Sequence, residues 1–210
     1  MNNAEARALG GAALSFAELH VDGGRIELVR SVAASVGDFE RTLEPIVPTP
    51  AGFEQMSPGS LGRFITEAAF RPSMQSAGEI VAANWQREFG QPVDAVIGLD
   101  VVALGKLLEA TGPIETSVGL TIDSSNAVSV LINQIYQEFE WFEGDEIYAE
   151  VIDSVFSRIT SGQFNTEVAL NAIASSVEER RMLLWSANSE VAAVLAERGI
   201  TSGVPDSTED

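Results

Sequence analysis

The chain has 210 residues, 45% of them hydrophobic and 20% charged, so it has the composition of a globular protein with room for one good core or two small domains. Its formal net charge is -19, from 12 Lys+Arg against 31 Asp+Glu, which argues against nucleic-acid binding and against adsorption to an anionic membrane. With no Cys and one His it cannot build disulfide frameworks, thiolate metal sites or multi-histidine sites. No apolar run reaches the ~20 residues needed to span a bilayer, and no signal peptide is evident.

Asn2, Asn3 and Glu5 read as a strand-end loop whose strand would lie upstream. Ala12 to Val21 reads as a strand, Asp22-Gly23-Gly24 as a hairpin turn and Arg25 to Val32 as the returning strand. His20 is expected to be an ordinary strand residue near that turn. Residues 36–60 hold Pro45, Pro48, Pro50 and Pro58, which break ladders and helices alike, so an irregular surface excursion is expected. A helix follows from Gln75 to Phe89, capped by Ser73 or Ser76, burying Ile80, Val81 and Trp85 and ending at Gly90.

The stretch 92–113, PVDAVIGLDVVALGKLLEATGP, is the organising segment. Val93, Ala95, Ile97 and Leu99 alternate with Asp94, Val96 and Gly98, a run apolar enough to be buried on both faces, as in a parallel sheet. Asp100 stands where an N-cap belongs. Val101, Leu104, Leu107 and Leu108 recur at helical spacing, and Gly112 and Pro113 stop the helix. Leu107, Ile97 and Trp185 are expected to be buried together.

Ile114 to Ile122 reads as a short hairpin, and Asp123, Ser124 or Ser125 can cap a helix from Asn126 to Phe139. Glu138, Glu140, Glu143, Asp145, Glu146 and Glu150 then crowd one region. Their spacing is not that of a calcium loop, so a solvated acidic surface is expected, with no metal. Ile147, Tyr148, Val151, Ile152, Val155, Phe156 and Ile159 mark the cleanest amphipathic helix, ended by Ser161-Gly162. Asn165 or Thr166 caps the next, through Val168, Leu170, Ile173 and Ala174. Arg180 to Trp185 fits a strand within the sheet, and Asn188 or Ser189 caps a last helix, Glu190 to Arg198. Residues 203–210 form a polar tail expected to be disordered. There is no Walker loop, nucleophile elbow, dinucleotide fingerprint or zincin motif.

The pattern predicts a single α/β domain over 1–202, with a central mixed or mainly parallel sheet and helices on both faces. Three segments carry a resemblance. NNAEARALGG (2–11), VDAVIGLDVVALGKLLEATGP (93–113) and ERRMLLWS (179–186) resemble, in order, the motifs of the bacterial domain-of-unknown-function family 4012. The resemblance implies an extracytoplasmic cell-envelope domain, tethered by an N-terminal membrane helix, and hence a fragment that lacks that anchor and one N-terminal strand. In Phe70-Arg71-Pro72-Ser73, Ser73 stands where that family tends to have an acid.

More distantly, the element order is similar to that of the LytR-CpsA-Psr phosphotransferases, which act on polyprenyl-pyrophosphate-linked glycans with acids, magnesium and arginines. By that likeness Arg7 and Arg30, with Asn2, Asn3 and Glu5, would form an anion site, since arginine donates bidentately to phosphate. The helix from Asn126 to Phe139 has no Arg where those enzymes bear a pair. The expected function is therefore a non-catalytic module with no cofactor, binding a glycan, a lipid-linked carrier or a partner protein. The alternative is a phosphotransferase using magnesium.

Overall fold

The computed structural model describes residue 1 and residues 8–34, 39, 42–48 and 62–201, the side chain of Trp141 excepted. The expectations for Asn2, Asn3, Glu5 and Arg7, for most of the proline-rich segment and for the tail fall outside these residues.

Strands β1 (Ser15–Asp22) and β2 (Arg25–Ala33) form the predicted hairpin. Its turn needs glycine at both central positions, because Gly23 (φ 55°) and Gly24 (φ 81°) are left-handed. A register shift after Glu18 inserts Val29 as an extra residue of β2. A 3-10 turn, Ile65–Phe70, leads into helix α1 (Met74–Phe89), which Ser73 caps by accepting from the Ser76 amide and which Gly90 ends. Strand β3 (Ala95–Leu99) runs into helix α2 (Val101–Thr111). Asp100 caps α2 as predicted, its Oδ1 accepting from the Ala103 amide at 2.8 Å. At the other end Arg158 Nη1 donates to the carbonyls of Thr111 (2.8 Å) and Gly112 (3.0 Å), which places a cation on the negative pole of the helix.

The two-residue strands β4 (Ile114–Glu115) and β5 (Thr121–Ile122) make the short hairpin. Helix α3 follows in three consecutive pieces: Ala127–Ser129, a π-helical Val130–Gln134, and Ile135–Glu138. The widened turns offer the Leu131 carbonyl to the hydroxyl of Tyr148, which donates to it. Helix α4 (Trp141–Thr160) lies against β2, and α5 (Thr166–Glu178) lies along α2. Strand β6 (Met182–Ser186) and helix α6 (Ser189–Glu197) close the described chain.

The fold class is α/β, but the strands are not mainly parallel. Among the described residues they form three separate antiparallel pairs, β1-β2, β3-β6 and β4-β5. The expectation of one central sheet, mixed or mainly parallel, fails because β6 arrives from α5 through Arg180, whose φ of 57° turns the chain, and pairs antiparallel with β3 alone among the described strands. Among the described residues strand β3 therefore has a strand on one side only. One face of the pair, with Val96, Leu183 and Trp185, is covered by α1. On the other face Ile97 is 53% exposed, and Leu107 (5%) and Trp185 (8%) are buried in different clusters, so the expected joint burial of the three does not occur.

Burial divides into two clusters that meet at the organising stretch. One gathers Val101, Leu104, Leu107 and Leu108 with Ile114, Ile122, Leu131, Ile135, Ile147, Val151 and Val155. The other gathers Ile65, Met74, Ile80, Trp85, Leu183 and Trp185 with Phe39 and Leu9. Leu99 packs against the first cluster, and Val93 and Val96 against the second. Helix α5 packs by its small residues. It buries the small residues Ala169, Ala172 and Ser176, while Leu170 and Ile173 face outward. Small side chains let α5 approach α2 closely, and this decided the face over hydropathy.

Candidate functional site

Arg30 is the one member of the expected anion site among the described residues; Asn2, Asn3, Glu5 and Arg7 lie outside them. The β1-β2 register sets Arg30 opposite Glu18, and their side chains pair at 2.7 Å between Nε and Oε2. The guanidinium also lies 4.3 Å over the ring of Phe89 at the end of α1. Phe89 belongs to an aromatic group with Phe16, Phe39 and Trp85, in which neighbouring rings lie 4.5 to 6.4 Å apart. Arg30 thus pins the hairpin to α1.

Asp100, the acid at the end of β3, is equally engaged. One oxygen caps α2 and the other accepts from Arg181 Nη1 at 2.8 Å. Arg181 also pairs with Glu179 at 3.0 Å, and Glu179 accepts from Lys106 at 2.7 Å. The Lys106 ammonium holds the Glu179 carboxyl below its usual range; burial opposes this and the Arg181 guanidinium adds to it. This chain of charges ties β3, α2 and the end of α5 together. A cavity of about 30 Å³, one water's worth, lies beside Asp100, with Met1, Leu14 and Leu104 in its wall. Burial there brings the Met1 amine down to about 6, Asp100 opposing the shift.

The acidic run 138–150 is used locally. Glu143 accepts from the Glu140 amide at 2.9 Å at the start of α4. Glu150 accepts from the Ser117 amide at 3.0 Å, and Asp145 is buried. Among the described residues no group of three or more His, Cys, Asp or Glu is placed to hold a metal ion. His20 lies in β1 two residues before the turn, as expected.

The sequence reading missed a cleft beside α1. It has a volume of about 350 Å³ and is walled by Ala82 and Ala83 of α1, by Val47 and Pro48, and by Pro92, Val93 and Trp185. Glu79 and Gln86 supply its polar edge, and no arginine is among its described lining residues. Trp185 packs closely against Gly78, and its Nε1 is buried with no hydrogen-bond partner among the described residues. Nothing in the sequence separates this Trp from an ordinary core residue, because the cleft is made by segments about 45 and 90 residues apart. Also missed was Arg71, a fully buried guanidinium, whose pKa burial lowers and Glu79 partly restores.

No described helix is long and apolar enough to cross a membrane. No curated protein and no solved structure matches the chain. The family described as "Protein of unknown function (DUF4012)" matches residues 1–136, which takes in the hairpin, α1, the organising stretch and most of α3. With well over half its length matched, and with two of the three resembling segments inside the match, the chain belongs to that family of proteins of unknown function, DUF4012.

Proposed function

We propose that this domain is a non-catalytic binding module of the bacterial cell envelope, extracytoplasmic in its full-length setting, and that it takes an apolar segment of a partner protein. The observation that carries this reading is the α1 cleft. It has the size of a ligand site, its walls are Ala, Val, Pro and Trp, and Glu79 is the one charged residue among its described lining residues. Such a site suits an apolar segment and repels a pyrophosphate. The transferase alternative is weakened by the engagement of Arg30 with Glu18 and Phe89, and of Asp100 with its cap and Arg181. A glycan is a poorer fit than an apolar segment, since the cleft offers few polar groups.

The test is titration calorimetry with two probes, an apolar peptide and a short-chain polyprenyl pyrophosphate with magnesium. Binding of the peptide, weakened by the cleft-filling Ala83→Trp at unchanged melting temperature, is the expected result. Magnesium-dependent binding of the pyrophosphate that Arg30→Ala abolishes would replace this reading with the transferase one.

A further inference from the structure

The bonds at the two ends of the β3-β6 pair define which way each backbone group of β3 points. Ala187 N–H donates to the Asp94 carbonyl and Asp100 N–H to the Arg181 carbonyl, at 2.8 and 3.2 Å. In an antiparallel ladder hydrogen-bonded pairs recur every second residue, so the even-numbered residues of β3 face β6. The amides and carbonyls of Ala95, Ile97 and Leu99 therefore face the opposite edge. The Leu99 carbonyl accepts from the Met1 amine. Among the described residues nothing bonds the outward groups of Ala95 and Ile97. The outer edge of β6 is differently placed, because Leu184 N–H donates to the Ile200 carbonyl. An unpaired edge with an exposed Ile at its centre is a feature that folded proteins ordinarily cover or charge.

We propose that the outer edge of β3 is a strand-addition site for an extended, apolar segment of a partner protein that carries a basic residue. The proposal rests on the binding-module reading and supplies its recognition mode. Main-chain bonds to Ala95 and Ile97 give affinity, and alternate side chains of the added strand give specificity. On one face an incoming apolar residue would pair with Ile97, which is backed on its other side by the half-buried Leu184 of β6. On the other face lies the end of the cleft formed by Pro92, Val93 and Trp185, the residue paired with Val96. Charge complementarity selects the occupant. Asp94 at the start of β3 and Glu79 on the cleft are both exposed carboxylates. A second copy of this chain would bring two molecules of net charge -19 together and set the Asp94 end of one β3 beside the Asp100 end of the other.

Amide hydrogen exchange on the whole chain tests this, with the peptide Lys-Val-Thr-Val-Thr-Val-Lys as probe. Saturating peptide should slow exchange at Ala95 and Ile97 and leave Val96 and Gly98, already bonded to β6, unchanged. Ile97→Pro removes the outward donor without removing a β6 bond, so it should weaken the peptide about tenfold or more at an unchanged fold, while Ile97→Thr should bind. A peptide N-methylated at alternate residues should bind about tenfold or more weakly, and one flanked by Glu should bind worse unless Glu79→Gln and Asp94→Asn are combined. Slow exchange at Ala95 and Ile97 in the free chain would overturn the proposal, because the edge would already be filled. Tryptophan quenching by the N-methylated peptide as strong as by the parent would also overturn it and leave the cleft reading standing. No binding of any peptide would remove both.

Discussion

Gly78 is where a single atom decides the packing of the second core. A Cβ there would sit 2.3 Å from Cγ of Trp185, well inside contact, so the indole can lie on α1 only because position 78 has no side chain. Gly78→Ala is expected to cost about 1–3 kcal/mol, read from urea unfolding, because the indole or the helix must shift. Leu107 and Ile97 make a matched pair of tests. Leu107 is 5% exposed and Ile97 53%. Leu107→Ala should cost about 2–5 kcal/mol and Ile97→Ala no more than about 0.5 kcal/mol, since only the first leaves a cavity. Their roles were not separable by hydropathy. Alternation shows that Ile97 belongs to a strand, but its exposure depends on which strand lies beside it, and that is decided some 85 residues downstream.

At the scale of elements, the β3-α2 junction is held by one side chain with two tasks. Asp100 caps α2 and receives Arg181 from the start of β6, so it couples the helix to the strand pair. Asp100→Asn keeps the cap and loses the charge, whereas Asp100→Ala loses both. The expected order in thermal unfolding is wild type, Asn, Ala, with Ala at least ~1 kcal/mol below wild type. Equal stability of wild type and Asp100→Asn would mean that the Arg181 pair contributes nothing measurable, and equal stability of the two variants would mean the same of the cap. The cap itself was legible, because Asp before an apolar helical repeat carries its own mechanism. The ion pair was not, since Arg181 and Asp100 meet only through the antiparallel register. The same distinction holds in α4. Its hydrophobic stripe was visible from Ile147 onward, yet the helix starts at Trp141, where Glu143 accepts from the Glu140 amide inside what reads as a charge cluster.

For the whole molecule, charge is the governing quantity. A net charge of -19 places a self-repulsion on the folded state that salt screens. Raising ionic strength from about 0.01 to about 0.15 M shortens the screening length from ~30 to ~8 Å and should raise the melting temperature at pH 7. A fall would mean that the ion pairs outweigh the repulsion. Against this background Glu179 acts in the opposite sense to the net charge. Its carboxyl is held below the ordinary value of 4.5 by Lys106 and Arg181. A depressed folded pKa means the unfolded chain binds the proton more readily, so this stabilisation is present above about 4.5 and is lost as pH falls through the folded value. Glu179→Gln should therefore lower stability at pH 7 and narrow the gap from wild type below pH 4.5. A gap independent of pH would show that the group does not titrate with folding.

The local parts were legible in the sequence: the glycine hairpin turn, the Asp100 cap, the Ser73, Asn165 and Asn188 caps each as one of two neighbouring candidates, the helix stops at Gly90 and Gly112, and the motifs that place the chain in its family. These are interactions within a few residues, and the residue types name them. Tertiary structure alone decided the direction of β6, the open edge of β3, the α1 cleft, and the engagement of Arg30 by Glu18 and Phe89. Each of these joins segments distant in sequence, and a hydrophobic pattern states that a residue is to be buried without stating against which partner. Helix α5 shows the consequence most directly: its larger apolar residues, Leu170 and Ile173, lie outside because the close approach of α2 admits only Ala169, Ala172 and Ser176.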